Sequence, residues 1–180
     1  KKYDENTERF SYNDKYLKDY DERYVFESIG YNLRMSDLHA ALGIEQLKKL
    51  NIFNKIRVDN ARHLITGLTE FEDYLQLPFT PKNYFHSFYG FPIVIKNNKY
   101  FKRKDIVRFL EKHKIETRAF MGGSLAKQPG FRKSKMRIVG NMSNTENLLN
   151  NAFFIGCHPK IEKMHIKYVI DVFRNFFSQL

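Results

Sequence analysis

The sequence predicts an α/β fold in which a small sheet is covered by helices. Two observations indicate this fold. Apolar residues recur at helical spacing over residues 36–70 and again after Pro159, and short apolar or alternating runs typical of strands lie between these segments. The composition agrees, because 42% of the 180 residues are hydrophobic and 17 are Phe, enough for a packed aromatic core. This architecture does not by itself specify a function.

The first 70 residues are expected to form an arm followed by two helices. Residues 1–22 are polar and rich in Tyr, which predicts an arm or loop. A first helix is expected from Ser36 to about Leu50, because Ser36 is a good N-cap residue and apolar residues recur behind it at helical spacing. A second helix with its own apolar face is expected with little break over about residues 51–70.

After residue 70 the pattern changes to strands that alternate with helices. Strands are predicted over residues 74–77, 86–95, 115–120 and 152–156, and helices over residues 104–114, from Ser143, and after Pro159. Pro92 indicates an edge position or a bulge, because proline cannot donate to the ladder. Ser143 and Glu146 have the spacing of a capping box. The last helix is expected to bury a stripe made of Ile161, Met164, Tyr168, Val169, Val172, Phe173 and Phe176.

The composition argues against several kinds of site. Cys157 is the only cysteine, so it cannot form an internal disulfide, and its apolar strand indicates a packed thiol in a reducing, cytoplasmic setting. The six histidines are scattered without the spacing of metal ligands. No apolar run has the length of a membrane span, and the polar N-terminal residues do not resemble a secretory signal. We therefore expect a cytoplasmic protein with no bound metal.

The net charge of +11 indicates affinity for phosphates, carried either by nucleic acid or by a nucleotide-linked substrate. The positive charges are spread along the chain, with tight clusters only at residues 102–104 and 132–135. A basic nucleic-acid-binding module is therefore an alternative hypothesis from a different functional class, although no known nucleic-acid-binding motif is present.

Three loops carry the residues that could act chemically, namely residues 30–34, 87–92 and 117–129. In the first, the Asn32 amide stands just before a helix start, an arrangement that can hold an anion. In the second, Ser87 would face a substrate. In the third, Arg118 stands at a strand end before two glycines, which suits bidentate contact with a phosphate or with sugar oxygens. No self-contained catalytic set, such as G-x-S-x-G, H-E-x-x-H or a P-loop, is present.

Each loop also has a purely structural interpretation. The first can also be read as a plain turn capped by Ser36, and the second as an aromatic core strand. In the third, Arg118 is equally well read as a surface ion-pair partner. The chemistry of the residues alone leaves these alternatives open.

The same loops resemble motifs of the sugar-nucleotide aminotransferase and dehydratase (DegT/DnrJ/EryC1/StrS) family. Residues 30–41 resemble its signature Gly-Tyr-Asn-x-Arg/Lys-Met-x-Asp/Glu-x-x-Ala-Ala. Residues 87–93 and 117–129 resemble Ser-Trp-Phe-Gly-Phe-Pro-Ile and Thr-Arg-x-x-x-Gly-Gly-Asn-Leu-Thr-Arg-Gln-Pro, found in the 3-dehydratases that act on CDP- or GDP-linked 4-keto-6-deoxyhexoses in lipopolysaccharide biosynthesis. The likeness covers about residues 22–178.

The resemblance implies that this chain is the C-terminal part of a fold-type I enzyme dependent on pyridoxal phosphate. Residues 1–35 would then be an arm and a dimer-crossing cofactor loop that belong to the large domain. Residues 36–70 would be interdomain helices, and residues 71–180 a small C-terminal α/β domain with a mostly antiparallel sheet.

The resemblance also implies roles for individual residues. Asn32 would bind the phosphate of pyridoxal or pyridoxamine phosphate in the neighbouring subunit of a homodimer, with Tyr31 and Phe26 lining the same site. The residues that would contact the nucleotide sugar are Arg118, Ser87 and Gln128. The catalytic base, a His in dehydratases or a Lys in transaminases, would lie outside these 180 residues, and a separate reductase is a further implied partner. Neither nucleic acid nor a membrane is an implied partner.

Two features separate this chain from the family pattern. Ser124 stands where the dehydratases usually have Asn, and Ala126-Lys127 where they have Thr-Arg, which affects the expected sugar or nucleotide. No cysteine precedes Cys157, so we expect no iron–sulfur cluster in this segment. An aminotransferase of the same family is the alternative enzyme.

Overall fold

The computed structural model describes Tyr31, Leu33 and residues 35–121, 123–131 and 133–180. The chain divides into two compact units, Lys1–Ile44 and Glu45–Leu180. Of the first unit, the described residues are Tyr31, Leu33 and the start of a helix, and nearly all of them are exposed. The second unit contains the sheet and the hydrophobic core.

The helix α1 runs without interruption over Asp37–Leu68. The two helices expected over residues 36–50 and 51–70 are therefore one, because nothing at the junction near Asn51 breaks the backbone pattern as a proline would. Its second half is apolar on one face and buries Ala61, Leu64 and Leu68. Its first half exposes its apolar residues, among them Leu38, Leu42 and Leu47.

In the described part of the chain, four antiparallel strands form a sheet in the order β1-β2-β4-β3. They are β1 (Leu75–Gln76), β2 (Gly90–Ile95), β3 (Thr117–Ala119) and β4 (Ala152–Gly156). The helices between and after them are α2 (Arg103–Lys112), α3 (Ser143–Asn151) and α4 (Lys163–Phe177), and short 3₁₀ helices lie at Thr69–Phe71, Leu125–Lys127 and Pro129–Phe131. The predicted α/β fold with a helix-covered sheet is confirmed.

The core lies between one face of the sheet and the helices. Alternate residues of β2 and β4 point into it, as the strand period requires. The fully buried large side chains are Phe91, Phe153, Phe173, Leu64, Leu68, Leu75, Ile93, Ile106, Leu110, Ile155 and Cys157. Stacked and edge-to-face rings extend this core, including Phe71 against Phe177 at 4.2 Å between ring centroids. The expected aromatic core is confirmed.

Pro92 lies where β2 has a neighbour on one side only. The Lys96 N–H donates to the Tyr74 carbonyl at 2.8 Å, so by the alternation of an antiparallel ladder the Pro92 nitrogen points to the same side. On that side β1 ends opposite Val94 and does not reach Pro92. The predicted edge environment is confirmed, although β2 lies inside the sheet as a whole.

Three local predictions need correction. The second strand begins at Gly90 rather than at residue 86, because Phe88 has φ of +51° and interrupts the extended backbone. Ser143 is the first residue of α3 rather than its cap, since the Asn141 side chain already accepts from the Ser143 N–H at 3.1 Å. In α4, Met164 and Tyr168 are exposed and Ile166 is buried, because the buried face follows residues 166, 173 and 176.

Candidate functional site

A cavity of about 880 Å³ opens beside the end of β4, within the size range of small-molecule sites. Residues from α1, the turn before β2, β3, β4 and α4 converge on it. Its wall consists of Arg57, Tyr89, Lys114, Ile115, Glu116, Arg118, Ala119, Met121, Phe154, Ile155, Gly156, Cys157, His158, Lys160, Ile161, His165, Tyr168 and Val169. All of these residues belong to the second unit.

Arg118 reaches this cavity from the middle of β3. It pairs across the ladder with Phe154 of β4, so the two side chains share one face of the sheet. The Arg118 guanidinium is 2.5 Å from the Glu116 carboxylate, and both side chains are about 70% exposed (69% and 74%). Arg118 is thus both a surface ion-pair partner and a cavity residue. An exposed pair of this kind contributes little to stability and leaves the guanidinium accessible to a ligand.

The charge of the cavity wall is predominantly positive. Among the wall residues that the structure describes, four are cations, namely Arg57, Lys114, Arg118 and Lys160, and Glu116 is the only carboxylate. Two imidazoles, His158 and His165, lie in the same wall. A concave surface with this balance concentrates anions, so the arrangement suits a phosphorylated ligand.

Aromatic rings form the apolar part of the same wall. The Phe154 ring lies 6.2 Å from the Tyr89 ring and 6.3 Å from the Phe120 ring, measured between centroids. Gly90 makes room for Phe154, since a Cβ at Gly90 would lie 2.5 Å from the Phe154 Cδ2 atom. Tyr89 is 78% exposed, so it presents ring surface to the cavity beside the cations.

Cys157 belongs to the cavity wall but is not a nucleophile. It is fully buried, and its thiol donates to the Arg57 carbonyl at 3.2 Å. Burial raises the pKa of this thiol to about 11, an effect that the positive charge of Arg57 only partly offsets. The thiol therefore stays protonated at neutral pH, in agreement with the expected packed cysteine.

The other predicted substrate contacts lie outside this wall. Ser87 is half-buried two residues before Tyr89, and Gln128 is half-buried between two short 3₁₀ helices. Neither is among the residues that line the cavity with Arg118. Their proposed contact with a substrate remains a prediction.

The predicted cofactor residues fall mostly beyond the described part of the chain. Asn32 and Phe26 lie outside the described residues. Tyr31 is described and is 93% exposed. The nearby Ser36 hydroxyl accepts from the His39 N–H at 3.4 Å at the start of α1, as expected of an N-cap residue.

Sequence reasoning missed most of the cavity wall. The sequence did not single out Arg57 as a site residue, because it lies on a long helix, where a cation is usually solvated. Lys160 follows the predicted strand 152–156, and its position soon after a strand was the available signal for it. His165 lies in the first turn of α4, where no local signal marked it. In the described ranges, no cluster of His, Cys, Asp or Glu could hold a metal ion, and no helix has the length and apolarity to cross a membrane.

Comparison with known proteins places the chain in a family. The model of the DegT/DnrJ/EryC1/StrS aminotransferase family matches residues 4–174. The chain belongs to this family. The match spans α1, the sheet and nearly all of α4, so it includes every residue of the cavity wall.

Two relatives have a similar sequence over nearly the whole chain. The lipopolysaccharide biosynthesis protein RfbH of Salmonella typhimurium is 37% identical over 88% of this chain and 36% of that protein. The GDP-4-keto-6-deoxy-D-mannose 3-dehydratase of Escherichia coli O55:H7 is 33% identical over 86% of this chain and 39% of that protein. The chain thus spans well under half the length of these relatives, and it matches their C-terminal part.

Solved structures of the family share the fold. The E. coli GDP-4-keto-6-deoxy-D-mannose-3-dehydratase with bound hydrated PLP superposes with a TM-score of 0.72 at 30% identity, over 84% of this chain and 38% of that one. An aminotransferase from Psychrobacter cryohalolentis superposes with a TM-score of 0.76 at 21% identity, over 91% of this chain and 45% of that one. The fold is therefore that of the small C-terminal domain of the aminotransferase-fold proteins.

Proposed function

We propose that this chain is the C-terminal part of a sugar-nucleotide 3-dehydratase, which removes the C3 hydroxyl of a nucleotide-linked 4-keto-6-deoxyhexose in deoxysugar and lipopolysaccharide biosynthesis. The choice of a 3-dehydratase over an aminotransferase of the same family is supported by the extent of sequence similarity. Sequence identity above 30% extends over more than 85% of this chain to RfbH and to a 3-dehydratase. The GDP-perosamine synthase of Vibrio cholerae, at 30% identity, matches only 55% of it.

The cavity supports this proposal through its residue types. A nucleotide sugar carries a diphosphate and a sugar ring with an apolar face. Arg118 can bind a phosphate or a pair of sugar oxygens in bidentate fashion, while Lys114 and Lys160 add positive charge. The rings of Tyr89 and Phe154 offer an apolar surface and exclude water beside these cations.

The cofactor of the whole enzyme is proposed to be pyridoxal phosphate in its amine form, which acts as an electron relay when bound. The residue types of the first loop and the start of α1 support this choice. The first loop contains the Asn32 amide, and the exposed amide end of α1 begins a few residues later, at Asp37. We propose that Asn32, with Tyr31 and Phe26, acts on the cofactor of a second copy in a cytoplasmic homodimer, and that the catalytic base lies outside these 180 residues.

The division of the chain follows from the same proposal. Residues 1–35 would complete the large domain, α1 would connect the domains, and residues 71–180 would form the small domain. The exposed apolar residues of the first half of α1 support this division, because they require a covering surface.

Product analysis tests the proposal. The full-length enzyme that contains this chain would be incubated with pyridoxal phosphate, glutamate and a GDP-, CDP- or dTDP-linked 4-keto-6-deoxyhexose. A 3-dehydratase yields a sugar without the C3 oxygen. The two electrons come from the amine donor, which ends as a keto acid and ammonia. A product that retains the C3 oxygen and carries an amine at C4 would establish the aminotransferase instead. A separate reductase acting on the keto product can be added afterwards.

The role of Arg118 is tested by kinetics on the same enzyme. We expect Arg118→Ala to raise KM about ten- to a hundredfold through the loss of charge-assisted hydrogen bonds. Arg108→Ala is the matched control, because Arg108 is exposed on α2 outside the cavity wall. Equal KM values for the two variants would contradict the assigned role.

A further inference from the structure

A single guanidinium on α1 holds the turn that enters β2. The Arg57 Nη1 atom donates to the Phe88 carbonyl at 3.1 Å and to the Tyr89 carbonyl at 3.2 Å. Arg57 is half-buried, so these charge-assisted bonds are partly shielded from solvent. The bonds connect residues more than thirty positions apart in the chain, and they fix the turn to the helix.

The turn needs such support because its backbone is strained. Phe88 has φ of +51°, in the left-handed region that bulky residues avoid. Its ring is nonetheless buried, and the His86 ring lies 4.1 Å from it. Strained conformations of this kind persist only where the surroundings determine them, and they concentrate at ligand-binding sites.

The residue after the strained one belongs to the cavity. Tyr89 lines it together with Arg118, and its ring rests against the Phe154 ring. If Phe88 adopted an extended conformation instead, the backbone would change direction at this residue. The orientation of Tyr89 relative to Ser87 would then change. The Arg57 bonds hold the stretch of backbone from which the Tyr89 side chain extends into the wall.

A second part of the wall, the segment after β4, is attached to the same turn of α1. The buried Asn60 side chain donates to the Ile161 carbonyl at 3.0 Å, and the Cys157 thiol donates to the Arg57 carbonyl. One helical turn thus anchors both the segment before β2 and the segment after β4. These segments form two sides of the cavity.

We propose that Arg57 is a positioning residue, which holds the strained Phe88–Tyr89 turn so that Tyr89 contacts the bound nucleotide sugar beside Arg118. The proposal rests on the proposed function for the identity of the substrate. Arg57 acts through Tyr89, so its removal should weaken substrate binding more than the chemical step.

Kinetics on the full-length enzyme test this coupling. The variants are Arg57→Gln, Arg57→Lys, Tyr89→Ala, the double variant Arg57→Gln/Tyr89→Ala, and the control Arg62→Gln, which removes an exposed cation of α1 whose partner is Asp59. We expect Arg57→Gln to raise KM about tenfold with kcat nearly unchanged, and Arg57→Lys to raise it less, since an ammonium can still donate to a carbonyl. The double variant should be no worse than Tyr89→Ala. Additive effects of the two substitutions would overturn the proposal.

Hydrogen exchange supplies a readout that needs no substrate. In the holoenzyme, Arg57→Gln should accelerate amide exchange in a peptide that covers residues 86–91, while Arg62→Gln should not. Unchanged exchange in that peptide overturns the positioning role even if the enzyme is an active dehydratase. An enzyme that converts no nucleotide sugar contradicts the proposed function instead, and the exchange result is read independently of it.

Discussion

Charge and burial at single residues determine what the cavity can do. Arg118 and Glu116 share one surface ion pair, so the carboxylate partly neutralises the cation that a phosphate would need. At Cys157, in contrast, burial raises the pKa of the thiol, so this side chain stays uncharged at neutral pH. The sequence predicted Arg118 and the packed thiol from local pattern. It did not predict Arg57, since a helical cation becomes part of a site only through a turn thirty residues away.

Removal of the Glu116 charge should strengthen anion binding. In Glu116→Gln, Arg118 loses its competing carboxylate, and we expect GDP or CDP to bind the full-length enzyme about two- to fivefold more tightly at low salt. Isothermal titration at low and high ionic strength measures this change, which should shrink as salt screens the site. Glu72→Gln is the control, because Glu72 is exposed outside the cavity wall. Weaker binding in Glu116→Gln would show that the carboxylate itself contacts the ligand.

The pKa of Cys157 predicts a loss of stability in alkaline solution. The folded-state pKa of about 11 lies above the ordinary value of 9.0, so the unfolded thiol ionises first and folding is disfavoured as the pH rises from 9 to 11. The contribution lost is about 2 to 3 kcal/mol. Denaturant unfolding of wild type and Cys157→Ala over this pH range isolates the contribution of the thiol to the free energy of unfolding. Other titrating groups affect both proteins, whereas the alanine variant has no thiol to ionise. Parallel pH profiles for the two proteins would contradict the assignment.

For the secondary-structure elements, hydrophobic periodicity predicted where helices and strands lie. Their exact boundaries were not predicted where single residues adopt unusual backbone angles. The strand 152–156 and the edge environment of Pro92 followed from residue type. Phe88 and Met142 adopt positive φ although neither is Gly or Asn, so no sequence signal marked the late start of β2 or the displaced cap of α3. Tertiary contacts, such as the Arg57 bonds, hold such residues in place and are invisible in a local window.

Replacement of two glycines of α1 by alanine should change the free energy of unfolding in opposite directions. Gly43 has no atom within 4 Å of the position a Cβ would occupy, so Gly43→Ala should raise the free energy of unfolding by up to about 1 kcal/mol through helix propensity. A Cβ at Gly67 would lie 2.3 Å from the Ile170 Cδ1 atom, so Gly67→Ala should lower it by about 1 to 3 kcal/mol through overpacking. Chemical denaturation measures both. Stabilisation by Gly67→Ala would show that the Ile170 side chain does not lie against Gly67.

For the molecule as a whole, the exposed apolar residues in the first half of α1 agree with the proposed division into domains. The relatives are more than twice as long as the matched segment, so in the proposed enzyme other parts of the protein can cover this face. The family could be predicted from sequence because the loop motifs are local and ordered along the chain. The cavity could not, because its wall is assembled from five separate segments.

A polar substitution on this face should therefore be costly in the full-length enzyme. Leu42 is 58% exposed in the present structure, and its burial in the complete protein would make Leu42→Asn destabilising by about 1.5 to 3 kcal/mol. Met164→Asn is the control, because Met164 is 69% exposed on α4. Thermal unfolding of the two variants compares them. A Leu42→Asn variant as stable as the control would mean that α1 remains uncovered.

A structure of the full-length holoenzyme with a bound nucleotide-linked 4-keto-6-deoxyhexose would test the proposed site directly. We expect the ligand to lie in the cavity beside β4, with an Arg118 guanidinium nitrogen about 3 Å from a phosphate or sugar oxygen and the Tyr89 ring against the ligand. A ligand bound away from this wall, with Arg118 still paired only to Glu116, would contradict the proposed site.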